Sequence, residues 1–458
     1  MRQSAADSQT IPQRSSMSIN SHVVRSTVVG ALGGLLFGFD TAVISGTTHA
    51  LTAQYRLTPF LLGVTVFSAL LGTVVAAITA GIPGQRFGRR DSLRAMALFY
   101  ILSAVGCALA WNWTSLIVFR FIGGLGIGGS SVLGPMYIAE IAPPAWRGRL
   151  VGFFQTNVVI GILFAYMSNF LIATMHLGNH EWRWQLGVAA VPAIFFLFAL
   201  FGIPRSPRWL VMQKELAEAL HVLQLTGAKN AKAELEEIIA SVHLERAAST
   251  DRLFSRQYAK PIFLALTMGM FCQLSGINAI LYYLNDIFAL AGITGVSGDI
   301  QAVAVGATNL VGTLFAMSII DKVGRRKLLL TGTAGLVVCL AAIAGIFITH
   351  RHMAWLVWFL MAYIACFAIS QGAVVWVYVS EVFPNRVRSK GQSVGSSAHW
   401  VTNAVISLVF PVMATSSGAF PFIFFALMMV VDLFIVGFIY PETTGISLEQ
   451  MQHRMGID

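Results

Sequence analysis

The groups able to do chemistry are few, and they stand in apolar surroundings. Residues 33–46 read GGLLFGFDTAVISG, inside an apolar run from about 23 to 46, with one carboxylate, Asp40, in the middle. Roughly 20 such residues cross a bilayer. An acid at the centre of a membrane helix costs about 2.5–3.5 kcal/mol on insertion scales, so it usually faces a water-filled cavity and pairs with a cation. Arg120 is the plausible partner. It opens the run RFIGGLGIGGSSVLGPMYIAE a little inside another apolar span. Two readings stay open: a static pair that orients two helices, or a titratable acid whose protonation is linked to the opening and closing of a cavity. Intramembrane acids tend to mark proton or ion routes, which favours the second.

A second set is polar but uncharged. Gln155, Gln273, Ser275, Asn278, Tyr282, Tyr283, Asn309, Trp376, His399, Trp400 and Asn403 all fall within apolar spans. Amides both donate and accept, which suits a ring of neutral hydroxyls. Tryptophan faces suit the C–H faces of a sugar. A phosphate ester would need several cations, and Arg120 stands alone in this set. Each amide could instead tie two helices together. No nucleophile–base set, metal cluster or phosphate loop is visible, so no enzyme, cofactor or metal is expected. GLGIGG near Gly124 lies inside a span with no strand before it, which points to close helix packing and not to a nucleotide loop.

Composition agrees. The chain has 458 residues, 56% hydrophobic and 11% charged, with a mean hydropathy of +0.72. Soluble proteins are about 25% charged. The expected fold is an all-α polytopic membrane protein with twelve spans, at about 23–46, 59–82, 92–111, 115–139, 150–173, 184–203, 261–290, 299–320, 328–349, 354–380, 391–413 and 419–440. The first apolar run is too long and starts too late for a signal peptide. Domains are expected at 1–22 (a disordered tail), 23–203 (a six-helix bundle), 204–260 (a helical cap), 261–440 (a second six-helix bundle) and 441–458 (a tail). Within the cap, 214–225 and 231–247 read as amphipathic helices. Basic residues cluster in alternate loops: Arg86, Arg89, Arg90 and Arg94; Arg147 and Arg149; Lys322 and Arg325 to Lys327; Arg386, Arg388 and Lys390. The segment between the halves adds nine Lys and Arg from Arg205 to Lys260, and the loops on the other side hold Arg56, Arg183 and Arg351. The positive-inside rule then puts both termini in the cytoplasm of a cell-membrane protein. It also accounts for the net charge of +10 without a nucleic acid partner. The four cysteines have neither disulfide-framework nor zinc spacing.

The two halves repeat. GQRFGRRDSL (84–93) answers DKVGRRKLLL (321–330), YIAEIAPPAWRGR (137–149) answers YVSEVFPNRVRSK (378–390), and PRSPRWL (204–210) answers PETTGISLE (441–449). With QLSGINAILYY (273–283), these motifs resemble the sugar porter family of the major facilitator superfamily, whose members include bacterial proton–xylose symporters and animal glucose facilitators. The likeness runs from about Gly33 to Glu449. It implies two six-helix halves with substrate near the midplane, a monosaccharide and a proton as partners, and a functional monomer in the lipid bilayer. It places Phe37, Gln155, Gln273, Asn278, Asn309, Gly372, Trp376, His399 and Trp400 on the sugar, with Tyr282 and Tyr283 as outer-gate aromatics. It makes an inner gate of Arg89, Arg90, Glu140, Arg147, Arg208, Asp321, Arg325, Arg326, Glu381, Arg388 and Glu442, closed by ion pairs between the halves.

Several positions depart from the family pattern. Arg205 stands where Glu is usual and Gln85 where Asp is common, which implies a looser inner gate in the first half. Cys272 replaces a sugar-binding amide. His399 replaces an amide too, as a neutral donor and acceptor or as a group titrating near pH 6–7; both changes bear on which sugar fits. Asp432, in the peripheral last span, reads as a helix contact or a site near a water defect, with a second proton site as the lesser reading. The family's facilitators usually lack an acid at Asp40 and its proton symporters carry one, so proton-coupled sugar uptake by alternating access is expected. The alternatives are a uniporter with a structural Asp40–Arg120 pair and a non-transporting sugar sensor. Sensors of this kind typically carry a long cytoplasmic extension, and the chain ends at Asp458, which argues against the latter.

Overall fold

The computed structural model describes residues 20–457 apart from 144, 145, 229, 249–252, 385, 447 and 456; side chains are described for the same residues except 244–248, 389, 448 and 449. Residues 1–19 of the expected tail lie outside the described residues. Ser21 and His22 already belong to the first helix, which Asn20 caps by accepting from the His22 N–H.

Twelve helical spans long and apolar enough to cross a membrane are present among the described residues. They are span 1 (Ser21–Gly46), 2 (Pro59–Thr79), 3 (Arg89–Ala108), 4 (Trp113–Ile141), 5 (Arg147–Thr174), 6 (Gly178–Gly202), 7 (Arg256–Tyr282), 8 (Val296–Val323), 9 (Arg325–Thr349), 10 (Met353–Glu381), 11 (Lys390–Ser416) and 12 (Phe420–Phe438). Their starts follow local chemistry. Thr58 and Pro59 open span 2, and an Asn112–Ser115 capping box opens span 4. Spans 3 and 9 begin at the two GRR motifs, after Gly88 (φ 90°) and Gly324 (φ 99°). Only glycine enters that backbone region without strain, so the same turn recurs in both halves.

The packing repeats as the motifs do. Span 1 lies on 5, 2 on 4, 3 on 4 and 3 on 6; in the second half 7 lies on 11, 8 on 10, 9 on 10 and 9 on 12. The halves meet along 2 against 11 and 5 against 8, a pair of contacts related by the same repeat. GLGIGG does serve close packing: a Cβ at Gly124 would overlap the Ala69 carbonyl, and one at Gly128 the Thr73 carbonyl. Lipid tails give no hydrophobic drive between helices, so backbone approach of this kind carries the association. Gly124→Val should cost several kcal/mol, about 3 or more, by prising spans 2 and 4 apart. Thermal melting in detergent checks this; an unchanged midpoint would show that the approach is not needed.

Two spans are broken. Span 7 continues into a separate helix, Leu284–Leu290, and is itself interrupted at Ser275–Gly276 between Ala259–Leu274 and Ile277–Tyr282. Span 10 breaks at Ser370 (φ −108°, ψ −97°), between Leu356–Ile369 and Gln371–Glu381. Apolar patterning reads each as one continuous run, because a break leaves hydropathy unchanged. Between the halves lie three helices, Pro207–Met212, Leu216–Leu225 and Ala231–Ala248, the first of them beyond the two expected. A further short helix, Leu448–Met455, follows span 12.

Candidate functional site

At the centre of the first half, Asp40 Oδ1 lies 3.6 Å from Arg120 Nη1. Arg120 is 4% exposed and Asp40 17%. The pair is loose and incomplete: it exceeds hydrogen-bond length, and Arg120 Nε is buried without a partner. Beside it is a small cavity lined by Phe37, Thr73, Tyr282 and Trp400 among others. Its free space, about 10 Å³, is close to the minimum for one water. It suits a proton carrier and is too small for a sugar.

The second half supplies the polar arc. Asn278 Nδ2 donates to Gln273 Oε1 at 3.1 Å, which fixes the amide's orientation; Gln273 Nε2 then faces His399 Nε2 at 2.8 Å. The same amide nitrogen lies 3.4 Å from His399 Nδ1, so it sits against both ring nitrogens. The break in span 7 brings these groups together, because Gln273 ends one helix and Asn278 begins the next. His399 sits between two indoles, with ring centres 5.0 Å from Trp376 and 5.4 Å from Trp400. Phe37 of the first half reaches across to Trp400, with ring centres 5.4 Å apart. Gln155 is half-buried, Asn309 is buried on span 8, and Gly372 lies just after the break in span 10. Cys272, at the position of a sugar-binding amide in the family pattern, is 2% exposed and lies near Asp432 of span 12.

The two tyrosines differ. Tyr282 lines the Asp40 cavity and accepts from Asn403 at 3.2 Å. Tyr283 stays within its own half, donating to the Ser407 carbonyl at 3.0 Å and stacking on Phe410. Near this end the halves touch closely. A Cβ on Gly63 of span 2 would overlap the Leu408 carbonyl of span 11, and Tyr166 donates to the Leu281 carbonyl at 3.0 Å. Trp376 is 38% exposed. The passage is therefore closed at the end away from the GRR motifs and open towards them.

At the basic end the same network is built twice. Arg89 bonds Glu140 Oε1 at 2.8 Å, and Glu140 Oε2 accepts from Ser206 at 2.5 Å. Arg325 bonds Glu381 at 3.1 Å and Asp321 at 3.0 Å, and Glu381 Oε2 accepts from Thr443 at 2.6 Å. Glu442 caps span 9 by accepting from the N–H groups of Arg325 and Arg326. Burial pushes its carboxyl up, but bonds from Thr444, Arg325 and Thr443 outweigh that and leave it below the usual range.

These pairs do not bridge the halves, as the sequence reading expects; each joins groups of one half. The reason is the open passage at this end, where each network braces its own helix ends. Arg90 is directed to Asp91 and the Ile203 carbonyl, not to Glu140. Arg326 reaches the carbonyls of Val436 and Gly437. Arg147 is exposed, near Glu234 of the intervening helices. Arg208 lies in Pro207–Met212, and Arg388 at the start of the helix that becomes span 11. Asp91 is the residue sequence reasoning missed. It takes Arg94 at 2.6 Å, Arg90 at 3.2 Å and Arg205 at 3.6 Å, replacing the charge lost at Gln85 and Arg205. Its signal was present: an acid directly after GRR, in the first turn of a helix.

A repeated twelve-span fold with a central polar passage, closed at one end, defines a multi-pass membrane transporter. A family profile described as "Sugar (and other) transporter" matches residues 26–454, and the chain belongs to that family. It is similar to the arabinose-proton symporter of Bacillus subtilis (36% identical, covering 96% of this chain and 97% of the relative). It is also similar to the D-xylose-proton symporter of Escherichia coli (33%; 94% and 96%). Among solved structures, the inward open conformation of the xylose transporter XylE from E. coli superposes with a TM-score of 0.84 at 32% identity, over 94% of this chain and 99% of that one. XylE bound to 6-bromo-6-deoxy-D-glucose gives 0.79 at 32% identity, over 95% and 99%.

Proposed function

We propose that the chain is a proton-coupled monosaccharide symporter of the cell membrane that works by alternating access. The observation that carries this is the loose, unsaturated Asp40–Arg120 pair on a water-sized cavity that also touches Trp400 and Phe37. Water from outside lets Asp40 take a proton and release Arg120; the halves then rock around the bound sugar; the proton leaves inside and the pair reforms.

In this reading the sugar lies between Gln155 of the first half and Gln273, Asn278, Asn309, Gly372, Trp376, His399 and Trp400 of the second. Trp376, Trp400 and Phe37 offer faces to its C–H groups, and the His399 imidazole offers a ring nitrogen that can donate or accept. Tyr282 seals the outer side, with Tyr283 bracing it from behind. Both termini are cytoplasmic, since the open, basic end faces inwards under the positive-inside rule. The inner gate would then be the twin networks of Arg89 and Arg325, able to exchange partners across the halves when that end closes, with Arg147, Arg208 and Arg388 beside them. The passage is complete within one chain, so a monomer suffices.

The test is reconstitution in liposomes with a panel of hexoses, pentoses and inositol added outside and internal pH recorded. Acidification triggered by one sugar class is expected and names the substrate. Sugar entry without any pH change would overturn the coupling and leave a facilitator.

A further inference from the structure

Asp432 is a second acid within the membrane, and the coupling scheme above does not use it. It is 3% exposed in span 12. Two donors reach its Oδ2: Gln371 Nε2 of span 10 at 2.8 Å and Thr333 Oγ1 of span 9 at 3.3 Å. Spans 7, 9, 10 and 11 pack on span 12 or its side chains. Span 7 brings Cys272, and Tyr440 follows span 12 itself. These are the titratable groups facing the carboxyl, and neither can carry positive charge. Among the described residues no ion pair involves Asp432.

The position matters. Gln371 is the first residue of the half-helix Gln371–Glu381, directly after the break at Ser370. A carboxylate there is favoured by the half-helix N-terminus. The Oε1 of Gln371 is buried with no partner, and its Nε2 reaches the Met429 sulfur of span 12 at 3.6 Å besides Asp432, so the carboxylate is its strong acceptor. The same half-helix carries Trp376, against His399, and Glu381, on Arg325. It therefore joins the polar arc to the basic end.

We propose that Asp432 is a second proton-binding site and that its charge sets the break in span 10. Ionised, it holds the start of the half-helix through a charge-assisted bond, which is stronger than a neutral one. With no cation nearby, the cheapest way to relieve the buried charge is to accept a proton. A proton from solvent adds to the carboxylate and a neutral acid remains. Gln371 then loses its strong acceptor and the lower half of span 10 is freed to move.

Two measurements on the full-length protein in lipid test this, and neither needs a sugar, so failure of the transport reading leaves them intact. Infrared titration should show a protonated-carboxyl C=O band that grows as pH falls and is missing in Asp432→Asn. Amide hydrogen exchange over residues 371–381, corrected for intrinsic pH dependence, should speed up about tenfold as that band appears. In Asp432→Asn it should be fast at every pH. If Asp432→Asn does not fold, Gln371→Leu takes its place: with one donor removed, the same band should appear at higher pH. An unchanged band in the variant, or exchange whose pH profile matches wild type, would overturn the proposal.

Discussion

Asp40→Asn is expected to abolish uphill accumulation while sugar exchange across the membrane continues. One proton moving through 100 mV supplies about 2.3 kcal/mol, enough for roughly 50-fold accumulation at about 1.4 kcal/mol per decade. Asparagine copies the shape of the protonated acid but cannot release a proton, so this term falls to zero and the internal sugar level only equals the external one. Sugar-triggered acidification should vanish with it. The geometry favours this outcome over a structural role. A pair at 3.6 Å with an unsatisfied guanidinium nitrogen gives up little when Asp40 turns neutral, whereas breaking a well-made buried pair costs about 3–5 kcal/mol. Liposomes loaded at a set potential separate the cases. Retained accumulation in Asp40→Asn would remove Asp40 from the coupling; loss of exchange together with accumulation would make the pair a structural brace.

Much of this site was legible because membrane helices leave few polar groups to choose among. Asp40 and Arg120 stood out by cost alone, and the structure brings them together. Gln273, Asn278 and His399 also converge, although the feature that joins them, the break in span 7, has no hydropathy signature. Cys272 shows the limit. A position in a motif implies a facing, but a small thiol can turn into the packing against span 12 where an amide would not. The twin networks show another. The motifs bring Arg89, Arg90, Arg325 and Arg326 within reach of Glu140 and Glu381, but whether an arginine meets its own half or the other depends on which end of the passage is open. No residue type encodes that. Asp91 has no counterpart in the family pattern, which marks the charges missing at Gln85 and Arg205 and not the one that takes their place.

The open end also makes the closed end testable. Spans 2 and 11 meet where Gly63 lies against the Leu408 carbonyl, with no room for a Cβ. The contact joins the two halves and is internal to neither, so a side chain there strains one conformation and spares each bundle. Gly63→Val should therefore raise the energy of the outside-closed state by about 1–3 kcal/mol, a typical overpacking cost, and shift the balance towards the outside-open state by roughly 5- to 150-fold. Every turnover passes through outside closure, so transport into liposomes should fall by a similar factor. Sugar binding by purified protein should persist, since the polar arc is untouched. Transport at the wild-type rate would show that the two helices need not approach this closely during the cycle. Loss of binding and transport together would place the damage in the fold. The expected split, binding kept and turnover lost, is the signature of a passage that must shut at one end before it opens at the other.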